Sequence, residues 1–462
     1  MHIADYTLTD LERSQTAKVR RSERLGVTLV GSACVLFAAL LFGMIDRHAV
    51  NLLFWDQFDF LTGLREHAGQ WKLFSWIHGP CRLGLGYLFI EGVYAASGWD
   101  TRFEGFATGG LSLVTLGLAL VLKTRVLGPL TWLDICLPAV LLTRSQYEIF
   151  VGTPNAAHGP IPLLLVVLAP FCWLVRSAPL RAAMAGVLAF FAAFTGFAIF
   201  LVPCLVAMFA IDALWPALPS AKERAWSATG AVLCAASIPL FLIDYRFGSA
   251  VSCYQFPHPR PLEYIPFAGL MVLRPLGLAR LIPVAVLLGV VGFLLGVVGF
   301  LLASTVTAYA ASRALRRERT PLSRTMFLFS AFSLLFVAAT TVGRVCLGMG
   351  GALASRYVAY ELPLWLASYF VLAEAIAKRP SLRLPAATGV ALFVVLQIIP
   401  KDRSSLRWYS EGKSRWRSCY RATHDEVRCN RAADFKVYPV DGAPQVAQML
   451  EYLRENRLNL FK

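Results

Sequence analysis

Long runs of consecutive apolar residues, separated by short polar breaks, recur along this chain. The runs last about 17–25 residues, the length a helix needs to cross a hydrocarbon layer about 30 Å thick. They are continuous rather than alternating. A backbone in lipid must satisfy its own hydrogen bonds, so the pattern predicts an all-α polytopic membrane protein. The expected spans are 25–46, 103–122, 127–142, 156–175, 225–243, 281–311, 325–342, 357–377 and 384–400. Two more share 182–215, with a break near Thr195-Gly196, which gives about eleven in all.

The polar breaks are unequal. Residues 83–97 are apolar but short, and Gly84, Gly86, Glu91 and Gly92 interrupt them. A carboxylate at the bilayer centre costs roughly 2.5–3.5 kcal/mol on insertion scales, so this segment reads as an interfacial helix. Residues 47–102 then form one long first external loop. Residues 244–280 are expected as a second external loop, rich in proline and aromatics. Residues 401–462 form an external C-terminal tail, closing with an amphipathic helix from Pro444 to Phe461.

Composition agrees: 57% of the residues are hydrophobic and only 16% charged, which excludes a soluble enzyme. The net charge of +16 points to a membrane surface once its placement is considered. Lys123, Arg125, Arg176, Arg181, Lys222, Arg224, Arg313, Arg316, Arg317, Arg319, Arg324, Lys378, Arg379 and Arg383 lie in alternate short breaks. That is the positive-inside pattern, and it puts the basic segment Lys18-Val-Arg-Arg-Ser-Glu-Arg24 in the cytoplasm. The apolar run after it is too long for a signal-peptide core and lacks a small-residue cleavage site. No zinc-type cysteine spacing or nucleic-acid motif is present, so nucleic acid is not an expected partner. The tail is basic too, but long segments translocate largely regardless of charge. Cys419 and Cys429 lie in it, as a disulfide or as two unrelated thiols. Cys34, Cys136, Cys172, Cys204 and Cys234 sit in apolar runs and read as small core residues.

The candidate chemistry concentrates in residues 54–82, FWDQFDFLTGLREHAGQWKLFSWIHGPCR. In a helix, a spacing of three puts Asp56 and Asp59 on one face. A carboxylate near lipid and aromatics gains basicity, which suits a general base. The alternative is that Asp56 merely caps the helix that follows. A divalent cation, if the protein uses one, would fall to the same two carboxylates. Every histidine except His2 falls on the outer side or its edge, namely His48, His67, His78, His158, His258 and His424. His78 with Arg82, Arg144 with Glu148, and Arg344, Arg356 and Tyr357 are the candidates for substrate and phosphate binding. Guanidinium groups pair bidentately with phosphate oxygens, although lipid headgroups offer them the same chemistry. Trp55, Trp71 and Trp76 read first as interfacial anchors and second as sugar-stacking platforms.

A single first helix followed by a long external loop that opens with Trp-Asp resembles the membrane-embedded glycosyltransferases called GT-C. The chain is also similar to bacterial polytopic proteins that share several short elements in the same order. Here these are Trp55-Asp56, His78 with Arg82, Gln146-Tyr147-Glu148, Ser355-Arg356-Tyr357 and Tyr452-Leu-Arg-Glu-Asn-Arg-Leu458. The resemblance implies an inverting transferase of the bacterial inner membrane. It would move a sugar from a polyprenyl-phosphate donor to a cell-envelope glycan, lipid or protein acceptor, among membrane lipids, with Asp56 as base. Two departures from the pattern stand out: Gln57 replaces an acid after Asp56, and Gly79-Pro80-Cys81 interrupts the His/Arg element. A lipid-linked-sugar flippase and an inactive scaffold of envelope assembly are the alternatives. A flippase calls for charges within central spans and for paired repeats, and the chain has few of the first and none of the second.

Overall fold

The apolar runs form helices in the computed structural model, which describes residues 4–214, 220–246, 251–277, 290–316, 319–400 and 402–462, with side chains from residue 23 onward. Helix α1 (Ala4–His48) leads into the first loop, which holds α2 (Asp56–Arg65) and α3 (Gln70–Phe74). A two-residue antiparallel ribbon follows, Ile77–His78 against Cys81–Arg82, turned at Gly79 with φ +57°. Helix α4 (Leu85–Ser97) occupies the segment expected to lie along the interface. Helix α5 (Thr101–Leu127) starts at Asp100, whose carboxylate accepts from the N–H groups of Arg102 and Phe103.

The expected span 127–142 is not a continuous helix. It is a short turn, Trp132–Ile135, followed by α6 (Cys136–Leu141). Gly128 at φ +80° and Pro129 explain the break, because proline lacks the N–H that helix propagation needs. Helix α7 (Pro160–Leu168) follows, continued by a tighter turn to Leu174. The long run 182–215 divides as expected, into α8 (Ala178–Ala193) and α9 (Leu201–Leu214). Between them Gly196 adopts φ +54°, and a Cβ there would run into the carbonyl of Ala157. Helices α10 (Ala221–Ala235) and α11 (Ser237–Leu242) make the next run.

Residues 244–280 are not wholly loop. They contain α12 (Tyr264–Leu273), every residue of which is buried from Pro266 onward. Its Gly269 lies against Gly296 and Gly299 of α13 (Val290–Ala314), so the two backbones approach as closely as small residues permit. The start of the expected span 281–311 lies outside the described residues. Helices α14 (Pro321–Arg344), α15 (Val358–Lys378) and α16 (Arg383–Ile398) complete the bundle. The tail folds into α17 (Arg403–Thr423), α18 (Glu426–Ala433) and α19 (Pro444–Glu455).

The protein is therefore an all-α membrane protein by composition and fold. Among the described residues, seven segments are long and apolar enough to cross a membrane: Glu23–His48, Thr101–Leu127, Gly196–Leu214, Ala221–Leu242, Val291–Ala314, Pro321–Leu347 and Pro380–Thr423. Pro160–Leu174 and Ala178–Ala193 are apolar but shorter. Helix α15 is 21 residues long and carries Glu361 and Glu374, which keeps it out of the apolar set.

Two apolar cores result. The larger lies within the bundle. The smaller joins the first loop to the tail, with Phe54, Phe58, Tyr87 and Trp99 meeting Trp416, Phe435, Val446 and Leu453. Loop and tail thus form one layer over one end of the bundle. At the opposite end, ion pairs to three buried carboxylates neutralise much of the basic pattern. Lys123 pairs with Asp134 at 2.6 Å, Arg319 and Arg324 share Asp212 at 2.7 and 3.0 Å, and Arg313 and Lys378 share Glu374 at 2.9 and 2.6 Å. Trp173 also donates to Asp212, at 3.0 Å.

Candidate active site

Asp56 is the first residue of α2, one turn ahead of Asp59, so both carboxylates leave the same face. The cap position belongs to Trp55, which makes no side-chain capping bond, so Asp56 is not the N-cap. Trp55 adopts φ +50°, a region that disfavours side chains. The tail holds it there: the Trp55 N–H donates to the carbonyl of Val437 at 2.8 Å. His78 arrives from the ribbon, and the Gly79 turn aims its ring at the carboxylates. Its Nε2 lies 3.5 Å from Asp59 Oδ2 and 4.0 Å from Asp56 Oδ1. Burial pushes the imidazole pKa down, but the hydrogen bond that Asp59 accepts from it and the charges of Asp56 and Asp59 outweigh it, leaving His78 above its ordinary value. The ring also rests edge-on against Phe60, with centroids 5.0 Å apart.

One ligand atom from each of Asp56, Asp59 and His78 falls within 4.8 Å of the others. Two carboxylates and one imidazole are a donor set that suits a divalent cation, so the cation expectation extends from the two aspartates to His78. Tyr438 of the tail donates to Asp59 Oδ1 at 3.1 Å, on the oxygen that does not face His78.

The third and fourth collinear elements meet beside this cluster. Arg356 Nη1 lies 3.3 Å from Glu148 Oε1, and Ser355 Oγ donates to Glu148 Oε2 at 3.4 Å and accepts from the Glu148 N–H at 3.1 Å. The Glu148 charge, against the opposing effect of burial and with help from Tyr357 and Asp56, raises the pKa of Arg356 above the ordinary guanidinium range. The same guanidinium sits 5.7 Å over the ring of Tyr357. His158, in the turn ahead of α7, stacks edge-on to His78 at 6.0 Å and touches Cys81 Sγ at 3.8 Å. Burial, then the positive charges of His78 and Arg356, push its pKa down to about 3, so it is a neutral neighbour.

Other sequence candidates lie elsewhere. Arg82 is only 3% exposed, and its donors go to backbone: Nε and Nη2 to Phe241 O at 3.1 and 2.9 Å, Nη1 to Ser75 O at 2.5 Å, and Nη2 also to Ile243 O. Its guanidinium also lies 5.3 Å from the centroid of the Phe194 ring. The apolar surroundings and occupied donors make it a clamp between the first loop and α11 rather than a free phosphate ligand. Arg144 donates to Ile398 O at 2.6 Å, at the end of α16. Arg344 closes α14, and among the described residues it makes no hydrogen bond or ion pair with Asp56, Asp59 or His78. Cys419 and Cys429 are joined in a disulfide. A second disulfide, Cys253–Cys346, links the loop before α12 to the segment after α14. Its sequence signal was simple, since both cysteines lie outside the cores of the apolar runs. Tyr438 and His158 carried no spacing signal that would have put them at this site, whereas Ser355 belongs to the Ser355-Arg356-Tyr357 element. No protein-family profile, curated protein or solved structure matches this chain.

Proposed function

We propose that the protein is an integral-membrane glycosyltransferase of the GT-C type, moving a sugar from a polyprenyl-phosphate donor to a cell-envelope acceptor. One observation carries the reading: Asp56 and Asp59 converge with His78 beside the Glu148–Arg356 pair, at the end of the bundle capped by loop and tail. Acidic groups to take a proton and a guanidinium to receive a phosphate are the two needs of this transfer.

In the proposed reaction the donor's lipid lies among the helices and its phosphate meets Arg356. Asp56 takes the proton of the acceptor hydroxyl. The acceptor oxygen bonds to the anomeric carbon from the face opposite the phosphate, and the carbon–oxygen bond to phosphate breaks with its electron pair. Configuration inverts, and polyprenyl phosphate leaves with its added negative charge balanced by Arg356. Asp59 and His78 hold Asp56 and the acceptor in place. A divalent cation held by Asp56, Asp59 and His78 would supply polarisation of an oxygen when bound.

The membrane is the bacterial inner membrane, crossed about eleven times when the shorter and more polar helices are included. The N-terminus is cytoplasmic and the site faces outward. Two disulfides on the capped side fit an oxidising compartment. Membranes containing the protein should transfer radiolabelled sugar from a polyprenyl-phosphate donor. Asp56→Asn should cost about 10²–10⁴-fold in rate while leaving the protein inserted and folded. Full activity in that variant refutes the assignment of the base, and vectorial movement of the donor without bond formation refutes the transferase.

A further inference from the structure

The candidate site is not completed by the first loop. A tail residue reaches it from 379 positions away in sequence, and its chemistry is directional. Tyr438 packs edge-on against Phe58 of α2, with centroids 6.2 Å apart, which sets its hydroxyl beside Asp59. The hydroxyl lies 3.1 Å from Asp59 Oδ1 and 3.2 Å from Gln445 Nε2. An ionised carboxylate only accepts, so the phenol proton goes to Asp59 and the Gln445 amide donates to the phenol oxygen. The result is a chain of donors, Gln445 to Tyr438 to Asp59. Both Asp59 oxygens are then engaged, one by Tyr438 and the other by His78 at 3.5 Å. Among the described residues the Asp56 carboxylate has one ion-pair contact, with His78 at 4.0 Å, and its side chain is 42% exposed against 34% for Asp59.

The backbone around Tyr438 is built to hold this pose. Val437 accepts the Trp55 N–H, Phe435 packs on Phe54 with centroids 5.2 Å apart, and the Cys419–Cys429 disulfide ties α17 to α18 below. We propose that Tyr438 is a positioning residue of the site: it fixes Asp59 against His78, and so leaves Asp56 as the carboxylate free to take the acceptor proton. The proposal rests on the transferase reading for its reaction, but the hold on Asp59 is testable without it.

The full-length protein in nanodiscs is compared with Tyr438→Phe, Asp59→Asn and the double variant. Phenylalanine keeps the packing on Phe58 and removes only the donor. Transfer should fall about tenfold in Tyr438→Phe, in kcat rather than KM, because one charge-assisted hydrogen bond is lost. In the Asp59→Asn background the same change should cost nothing further, since its target is gone. Independent losses that multiply, or a loss confined to KM, overturn the proposal. Isotope-edited infrared spectroscopy supplies the second readout. The C–O stretch assigned to Tyr438 by its absence in Tyr438→Phe should shift in Asp59→Asn. A band that does not move overturns the proposal even if the protein is active. If the wild type shows no transfer, the transferase reading falls and the band alone decides whether Tyr438 holds Asp59.

Discussion

Arg82 separates two accounts of the same basic residue. A phosphate-binding arginine should be dispensable for folding, whereas a clamp should not. Replacing it with methionine keeps an unbranched stem against Phe194 and Phe241 and removes the guanidinium. Three carbonyls, those of Ser75, Phe241 and Ile243, then lose their donor in a place only 3% exposed. Two of them lie at the C-terminal end of α11, where helical carbonyls lack intrahelical partners. Hydrogen bonds to a charged group contribute about 1.5–3 kcal/mol each, and the contacts with the Phe194 and Phe241 rings add about 0.5–2 kcal/mol. The carbonyls relax in part once the donor is gone, so the sum is an upper bound. A buried acceptor left without its donor costs about 1–3 kcal/mol, so with three carbonyls relaxing in part the expected cost is about 3–5 kcal/mol. Thermal and denaturant unfolding of the detergent-solubilised protein should show that loss for Arg82→Met. Transfer, measured at a temperature where the variant stays folded, should keep the wild-type KM for donor. Unchanged stability together with a raised donor KM would refute the clamp and restore the phosphate-binding account.

The disulfides should differ in weight. In the chain-entropy model, closing a loop of 10 residues between Cys419 and Cys429 stabilises by about 3 kcal/mol, and closing 93 residues between Cys253 and Cys346 by about 5 kcal/mol. Paired serine substitutions, followed by unfolding under non-reducing conditions, should rank them in that order, and equal or reversed losses would contradict the model here. The two site histidines should give opposite pH dependences. His158 is held neutral with its pKa at about 3, so its contribution is full above about 6.5, the unfolded value, and is lost as pH falls from there toward 3. His78 is raised, so its contribution is full below about 6.5 and is lost as pH rises through its folded value above that. Melting temperature followed across both windows should lose its acid-side decline in His158→Phe and its alkaline-side decline in His78→Gln.

What the sequence revealed depended on how local each signal was. The break at Thr195-Gly196 was legible because it interrupts a single apolar run. The shared face of Asp56 and Asp59 was legible because helical spacing alone sets it. Span 127–142 misled because its apolar composition outweighed Gly128 and Pro129, which end one helix before the next begins. Helix α12 was hidden because ten residues cannot announce a span, and its burial comes from Gly269 meeting Gly296 and Gly299 far along the chain. For Arg82, composition marked a cation near the surface but could not tell which way its stem would run. Tyr438 was beyond reach altogether, because its meaning lies in a hydrogen bond to a residue 379 positions away.

The end-to-end path of the chain takes the short helices through the depth of the bundle. Thr195 lies at the capped end, since its hydroxyl accepts from the Leu85 N–H at 3.1 Å. Gly196–Leu214 runs 19 residues from there, about 28 Å at the helical rise, so Asp212 marks the opposite end. Trp173 donates to Asp212 and must lie at that opposite end too, whereas His158 touches Cys81 at the capped end. The segment between His158 and Trp173 therefore travels the depth of the bundle, although Pro160–Leu174 is too short to count by length and composition. Ala178–Ala193 must return, because Phe194 lies under the Arg82 guanidinium at the capped end. The same reasoning applies to α15, which starts beside Arg356 and ends where Glu374 meets Arg313. Burial among other helices, rather than contact with lipid, lets Pro160–Leu174 be short and α15 be polar. Length and apolar composition mark the segments that lipid would solvate, whereas inner helices solvated by protein need neither.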